Sequence, residues 1–190
     1  WQTINAYEKS VLTKFFELVY GLLILSILLN FNRVEVSKII VEITTINFPP
    51  YIYDIILAVV SLFFAVLTCV LYIKFERFKN VILEQIFYLV LLTVIFKSSS
   101  LIWGFTIYFI FWHSIPSLYD QIVFLYGNYS FQNFKKYFKT AFWYWLVSLV
   151  GIMILYFIAK DLVIFDALFF SFLASITFPH AIVILKMYEK

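Results

Sequence analysis

Charge is what this sequence has least of: Lys, Arg, Asp and Glu make up 13% of its 190 residues, and the formal net charge is +3. A soluble domain carries about 25% charged residues, and so small a positive balance argues against a nucleic-acid partner. Glycine and proline each occur four times. That is too few for the glycine-broken helices and mid-depth charges expected of a small transporter. The one cysteine, Cys69, lies inside an apolar run, which leaves no disulfide framework and no cysteine-built metal site; it reads as a small buried hydrophobe. No soluble domain, low-complexity tract or obvious internal repeat is visible. The opening WQTINAYEKS is polar, lacks an initiator methionine and does not form a signal peptide, so a processed chain or a fragment of a longer protein is expected.

What is present is apolar. Hydrophobic residues make up 64% of the chain and aromatic ones 23%, with a mean hydropathy of +0.97. This exceeds what a domain of this length buries in water, and it places the chain in a bilayer. Its apolar runs are long enough to cross about 30 Å of hydrocarbon as helix, and they lack the period-two alternation of barrel strands. The expected fold is therefore all-α: a polytopic transmembrane helical bundle, one integral-membrane domain over residues 1–190, with six spans at about 15–32, 51–74, 80–97, 99–117, 138–159 and 162–187. Pro49 and Pro50 open the second span, where a first turn tolerates proline. Segment 117–138 is the longest connection expected, and its mixed aromatic and polar character predicts an interfacial helix. Asn128-Tyr129-Ser130 fits a glycosylation triplet, on the wrong side in the topology that follows.

Cation placement gives that topology. With six spans, one side holds Lys9, Lys14, Lys74, Arg77, Lys79, Lys135, Lys136, Lys139, Lys186 and Lys190, ten cations against Arg33, Lys38, Lys97 and Lys160 on the other. The positive-inside rule then predicts both termini in the cytoplasm and an integral cell (inner) membrane location.

Both histidines stand beside prolines, in FWHSIPSLYD (111–120) and SITFPHAIVILK (175–186). In this topology His113 and His180 fall at similar depth toward the cytoplasmic leaflet, as two ligands of one metal ion would. A helix-to-helix hydrogen bond or an interfacial position explains a lone imidazole as well. Pro116 and Pro179 each remove an amide donor, releasing the carbonyls of Trp112 and Ser175 and loosening the turn beside each imidazole. Ser117, Asp120 and Thr177 share the histidine faces if the helices are regular. Asp120 either receives an imidazole N–H or ends its helix at the membrane surface. Glu17, Asp54, Glu84 and Asp166 lie near span ends, where snorkelling explains them; Glu84 with Gln85 is the deepest and a candidate hydrogen-bond node.

Aromatic residues are unusually dense: 24 Phe, 14 Tyr and 5 Trp. Tyr51, Tyr53, Trp143 and Trp145 suit interfacial belts. The run WGFTIYFIFWH instead lines the span of His113, where rigid flat rings would form a slot for a long apolar polyene. Lipid-facing packing accounts for most of them equally well.

WHSIPSLYDQIVFLYG (112–127), followed by ITFPHAIVILKMYE (176–189), resembles the Brp/Blh family of integral-membrane carotenoid oxygenases. The resemblance extends over most of the chain and is similar to the C-terminal two thirds of a family member, with the N-terminal part missing. It implies cleavage of β-carotene at its central 15,15′ double bond by O₂ to give two molecules of retinal, with a His-ligated non-haem Fe(2+) as cofactor. It also implies His113 and His180 as metal ligands and catalytic residues, with Tyr108, Phe109, Trp112 and Phe178 as walls of the substrate site. Implied partners are β-carotene or a related carotenoid, the lipid bilayer and a retinal-binding rhodopsin. The family's phrase is often WHSxxH, which has Ser117 at its last position here, and serine is a poor Fe(II) ligand. Either upstream residues complete the site or this version is a non-catalytic carotenoid- or retinal-binding protein associated with a rhodopsin.

Overall fold

The computed structural model describes residues 11–160, 162, 165, 167–172, 174 and 175. Seven α-helices and one π-helical turn occupy most of this range, and no strand occurs among the described residues. They are α1 (Val11–Phe31), α2 (Arg33–Thr44), α3 (Tyr51–Lys74), α4 (Glu76–Ser98), α5 (Leu101–Tyr108), the π-helical turn Phe109–Ser114, α6 (Ile115–Tyr126) and α7 (Phe131–Ala159). Among the described residues, five helices are long and apolar enough to cross a membrane: Val11–Phe31, Tyr51–Lys74, Glu76–Ser98, the continuous Leu101–Tyr126, and Phe131–Ala159. Helical membrane architecture thus agrees with the hydropathy reading. The sixth span expected at 162–187 lies largely outside the described residues.

Three boundaries differ from the sequence reading, each for a local reason. The fourth span does not stop at residue 117 but continues to Tyr126, where Gly127 at φ +82° closes it with a left-handed C-cap and its N–H donates to the Val123 carbonyl at 2.8 Å. The interfacial helix expected within 117–138 is therefore split between α6 and the start of α7, leaving four residues as the connection. The Asn128-Tyr129-Ser130 triplet serves that connection. The Ser130 hydroxyl accepts from the Asn133 backbone N–H at 3.1 Å, and the Asn133 side-chain amide donates to Asn128 Oδ1 at 2.9 Å. The third difference is α2, which hydropathy left as a loop. Its β-branched residues disfavour helix, but burial of Val36 and Ile39, three positions apart, supplies a packing face that overrides the propensity.

Residues 11–36 and 48–113 form one compact unit. In it α1 lies against α3, α4 and α5, burying Phe16, Tyr20, Leu23, Ile24 and Leu28. Lipid tails are as apolar as leucine, so this burial is favoured by close packing and interhelical hydrogen bonds rather than by escape from water. Phe16 packs edge-on against Phe78 at 5.1 Å and against Phe64 at 5.5 Å. One turn on, the Tyr20 hydroxyl donates to the Gln85 carbonyl of α4 at 3.0 Å. Gly104 of α5 marks a close approach: a Cβ there would lie 2.9 Å from Leu28 Cδ1 and 2.9 Å from Ser99 Oγ. At the ends, Asp54 in the first turn of α3 accepts from the Asn30 amide at 2.9 Å and pairs with Arg33 at 3.4 Å, which ties α3 to the junction of α1 and α2.

Residues 37–47 and 114–175 belong to a second unit, in which α6 packs on α7 and Ile122 is fully buried. A polar chain joins these two helices: the Tyr137 hydroxyl donates to Gln121 Oε1, and Gln121 Nε2 donates to Ser117 Oγ at 3.0 Å.

Candidate functional site

His113 sits in the π-helical turn Phe109–Ser114, FIFWHS. The cause is written in the sequence: Pro116 has no N–H for the Trp112 carbonyl, and a chain that cannot close the α-helical bond there widens its turn. The loosening inferred from the proline is thus present as one inserted residue. His113 is the thirteenth of the 26 residues Leu101–Tyr126. It is midway along that helix rather than near its end, because the helix runs nine residues beyond the expected stop at 117.

Rings of the same helix meet the imidazole at a spacing of four. Phe105 stacks on Phe109 with centroids 5.6 Å apart, and Phe109 lies 5.1 Å from His113. This ladder at spacing four runs along one side of the helix into the histidine. Tyr108 and Trp112 face α4 instead: Tyr108 is edge-on to Phe96 at 6.4 Å, and Trp112 edge-on to Tyr88 at 5.5 Å. Of the three described wall candidates, then, Phe109 touches the imidazole, while Tyr108 and Trp112 anchor the helix to α4. Phe178, the fourth, lies outside the described residues, as do His180, Pro179 and Thr177. Phe105 and Tyr88 were not singled out as walls. The spacing 105, 109, 113 was a usable signal for Phe105; Tyr88 depends on a contact 24 residues away in sequence.

Polar groups around this segment are engaged. The Tyr88 hydroxyl donates to Glu84 Oε1 at 3.0 Å, an exposed bond within α4 rather than the bundle node expected of Glu84. Asp120 does not end a helix: it lies inside α6, six residues before Tyr126, with Oδ1 shielded from solvent. Ser117 Oγ accepts from Gln121.

A non-haem Fe(2+) needs about three or more nitrogen or carboxylate donors around open positions. Among the described residues no group of three or more His, Cys, Asp or Glu gathers. His113 is a single exposed imidazole, and the Ser117 hydroxyl is held by Gln121. The described side chains by themselves do not fit an iron.

Relaxing the π-turn tests its origin. Pro116→Ala restores the N–H, and the turn is expected to revert toward α-helix, as proline inside a helix costs about 3 kcal/mol. The variant should melt at a higher temperature than wild type in detergent, because the Trp112 carbonyl regains a backbone donor. A variant that melts no higher than wild type would show that the turn does not originate in Pro116.

No curated protein and no solved structure matches the chain. Residues 2–188 match the family model described as Beta-carotene 15,15'-dioxygenase. With nearly its whole length matched, and with an apolar helical architecture around an imidazole in a widened turn, the chain belongs to the beta-carotene 15,15'-dioxygenase family.

Proposed function

We propose that this protein is a membrane carotenoid oxygenase that splits the central 15,15′ double bond of β-carotene with O₂ to give two molecules of retinal. The observation that carries this reading is the family match over residues 2–188. In the balanced reaction the C15=C15′ bond breaks and each carbon receives one oxygen atom of O₂. Substrate and product partition into lipid, which agrees with a chain made of spanning helices.

His113 and His180 are our proposed metal ligands, and the proposed metal is Fe(2+), which supplies the redox chemistry with O₂ when bound. The contribution of the chain itself is positional. The Phe105–Phe109 ladder holds one face of the His113 ring, and flat rings beside it favour a flat polyene over an acyl chain. Phe178 is proposed as a further wall. The cation asymmetry supports cytoplasmic termini in the inner membrane, and a retinal-binding rhodopsin is the proposed consumer of the product.

The test is expression of the full-length protein in a β-carotene-producing bacterium, with chromatography of the extracted pigments. Loss of colour with two retinals formed per β-carotene consumed is the expected result. A well-accumulated protein that leaves the pigment intact overturns the oxygenase reading; co-purifying intact carotenoid would then identify a binding protein. Apocarotenals of unequal length would instead overturn the central position of cleavage.

A further inference from the structure

The start of the fourth span is capped from a distance. A helix leaves its first four N–H groups without intrahelical partners, and serine at the N-cap ordinarily satisfies one of them. Ser130 does so for α7. Ser100, the N-cap of α5, makes no such bond. The Leu101 backbone N–H instead donates to Glu35 Oε2 of α2 at 3.2 Å, across 66 residues of sequence. A carboxylate there also meets the positive end of the helix dipole.

Gly104, in the same turn, is closely approached by Leu28 and Phe96. From Leu101 to His113 there are twelve residues of helix, about 18 Å at 1.5 Å per residue, and α5 itself has only eight residues before the backbone widens into the π-helical turn. A helix fixed at its first turn transmits its axial position and rotation to that point.

We infer that Glu35 is a positioning residue: by capping α5 it sets the order and placement of the π-helical turn that presents His113. The catalytic consequence rests on the oxygenase reading above; the structural one does not. The two cations of α2 nearest in sequence are paired elsewhere, Arg33 with Asp54 at 3.4 Å and Lys38 with Glu42 at 3.9 Å, which is consistent with the Glu35 carboxylate acting as acceptor for the helix.

The experiment uses the full-length protein in detergent, as wild type, Glu35→Ala, Glu35→Gln, Ser100→Asp and the double variant Glu35→Ala/Ser100→Asp. Hydrogen exchange is read in the peptides covering residues 101–104 and 109–114, and retinal output is read in cells at matched membrane accumulation. Glu35→Ala should speed exchange in both peptides by about fivefold, the factor for a cap worth about 1 kcal/mol. Glu35→Gln, which keeps an acceptor oxygen without the charge, should fall between. Asp at position 100 provides a cap from within the helix, so the double variant should recover both protection and retinal output. General loss of folding would not be rescued by that substitution.

Unchanged exchange in Glu35→Ala overturns the inference, and so does fast exchange at 101–104 that leaves 109–114 untouched. Retinal loss that Ser100→Asp does not reverse, despite restored protection, overturns the catalytic part. If wild type makes no retinal, the oxygenase reading falls, and the exchange data alone still decide whether Glu35 orders the turn.

Discussion

Replacing His113 by alanine is expected to reduce retinal formation by about a hundredfold or more, with the protein still accumulating in the membrane. Loss of groups that merely orient a metal ligand commonly costs 10–100-fold, and if His113 is a ligand, as proposed above, its loss should cost at least that. The expectation of intact folding comes from the geometry. His113 is exposed, and substitutions at exposed positions usually change stability by within about 0.5 kcal/mol. His180→Ala is expected to behave likewise if the two imidazoles serve one metal. Retinal per unit of membrane protein, alongside iron content of the purified protein, checks both. A His113→Ala protein that retains output removes this residue from the site, whereas a variant that fails to accumulate in the membrane contradicts the surface placement of the ring.

Gly104→Leu is expected to be the most damaging single change to the fold. A Cβ at this position already falls 2.9 Å from Leu28 Cδ1 and 3.2 Å from Phe96 Cδ1, and both of those side chains are themselves almost fully buried, at 1% exposure each. Neither has free space into which it can swing. Overpacking a filled core costs about 1–3 kcal/mol, so Gly104→Ala should lower the melting temperature in detergent and Gly104→Leu should prevent stable accumulation. Gly151 is the internal control. It is also helical, but a Cβ there meets nothing within 4 Å. Gly151→Ala should therefore leave stability unchanged or raise it slightly, since alanine is the better helix former by up to about 1 kcal/mol. Equal tolerance of alanine at both sites would contradict the close approach of α5 to α1.

The family reading and the helix geometry converge on the same short stretch. WHS followed by a proline carries the family resemblance, and it is here that the backbone departs from α-helix. Single-turn π-helical insertions recur at functional sites because they turn side chains away from regular register. The position of Ser117 fits this view: its hydroxyl belongs to the chain of hydrogen bonds from Tyr137 through Gln121, which joins α6 to α7.

Local composition by itself determined that the chain is a set of membrane-spanning helices. Hydropathy over about twenty residues decides whether a segment prefers lipid, and in lipid the backbone must satisfy its own hydrogen bonds. The same local logic placed the weakened turn at His113, since the missing N–H of Pro116 is a property of one residue. Tertiary structure alone decided the rest. Helix α2 forms because Val36 and Ile39 find a surface to cover, against the preference of its β-branched residues. Spacing of four groups Phe109 with His113 and Tyr108 with Trp112, but only tertiary packing sets the second pair against Phe96 and Tyr88 of α4. The cap on Leu101 comes from Glu35. A helix can announce in its own sequence that its first amides need an acceptor, but when its own serine does not serve, only the packing of distant segments determines which carboxylate arrives.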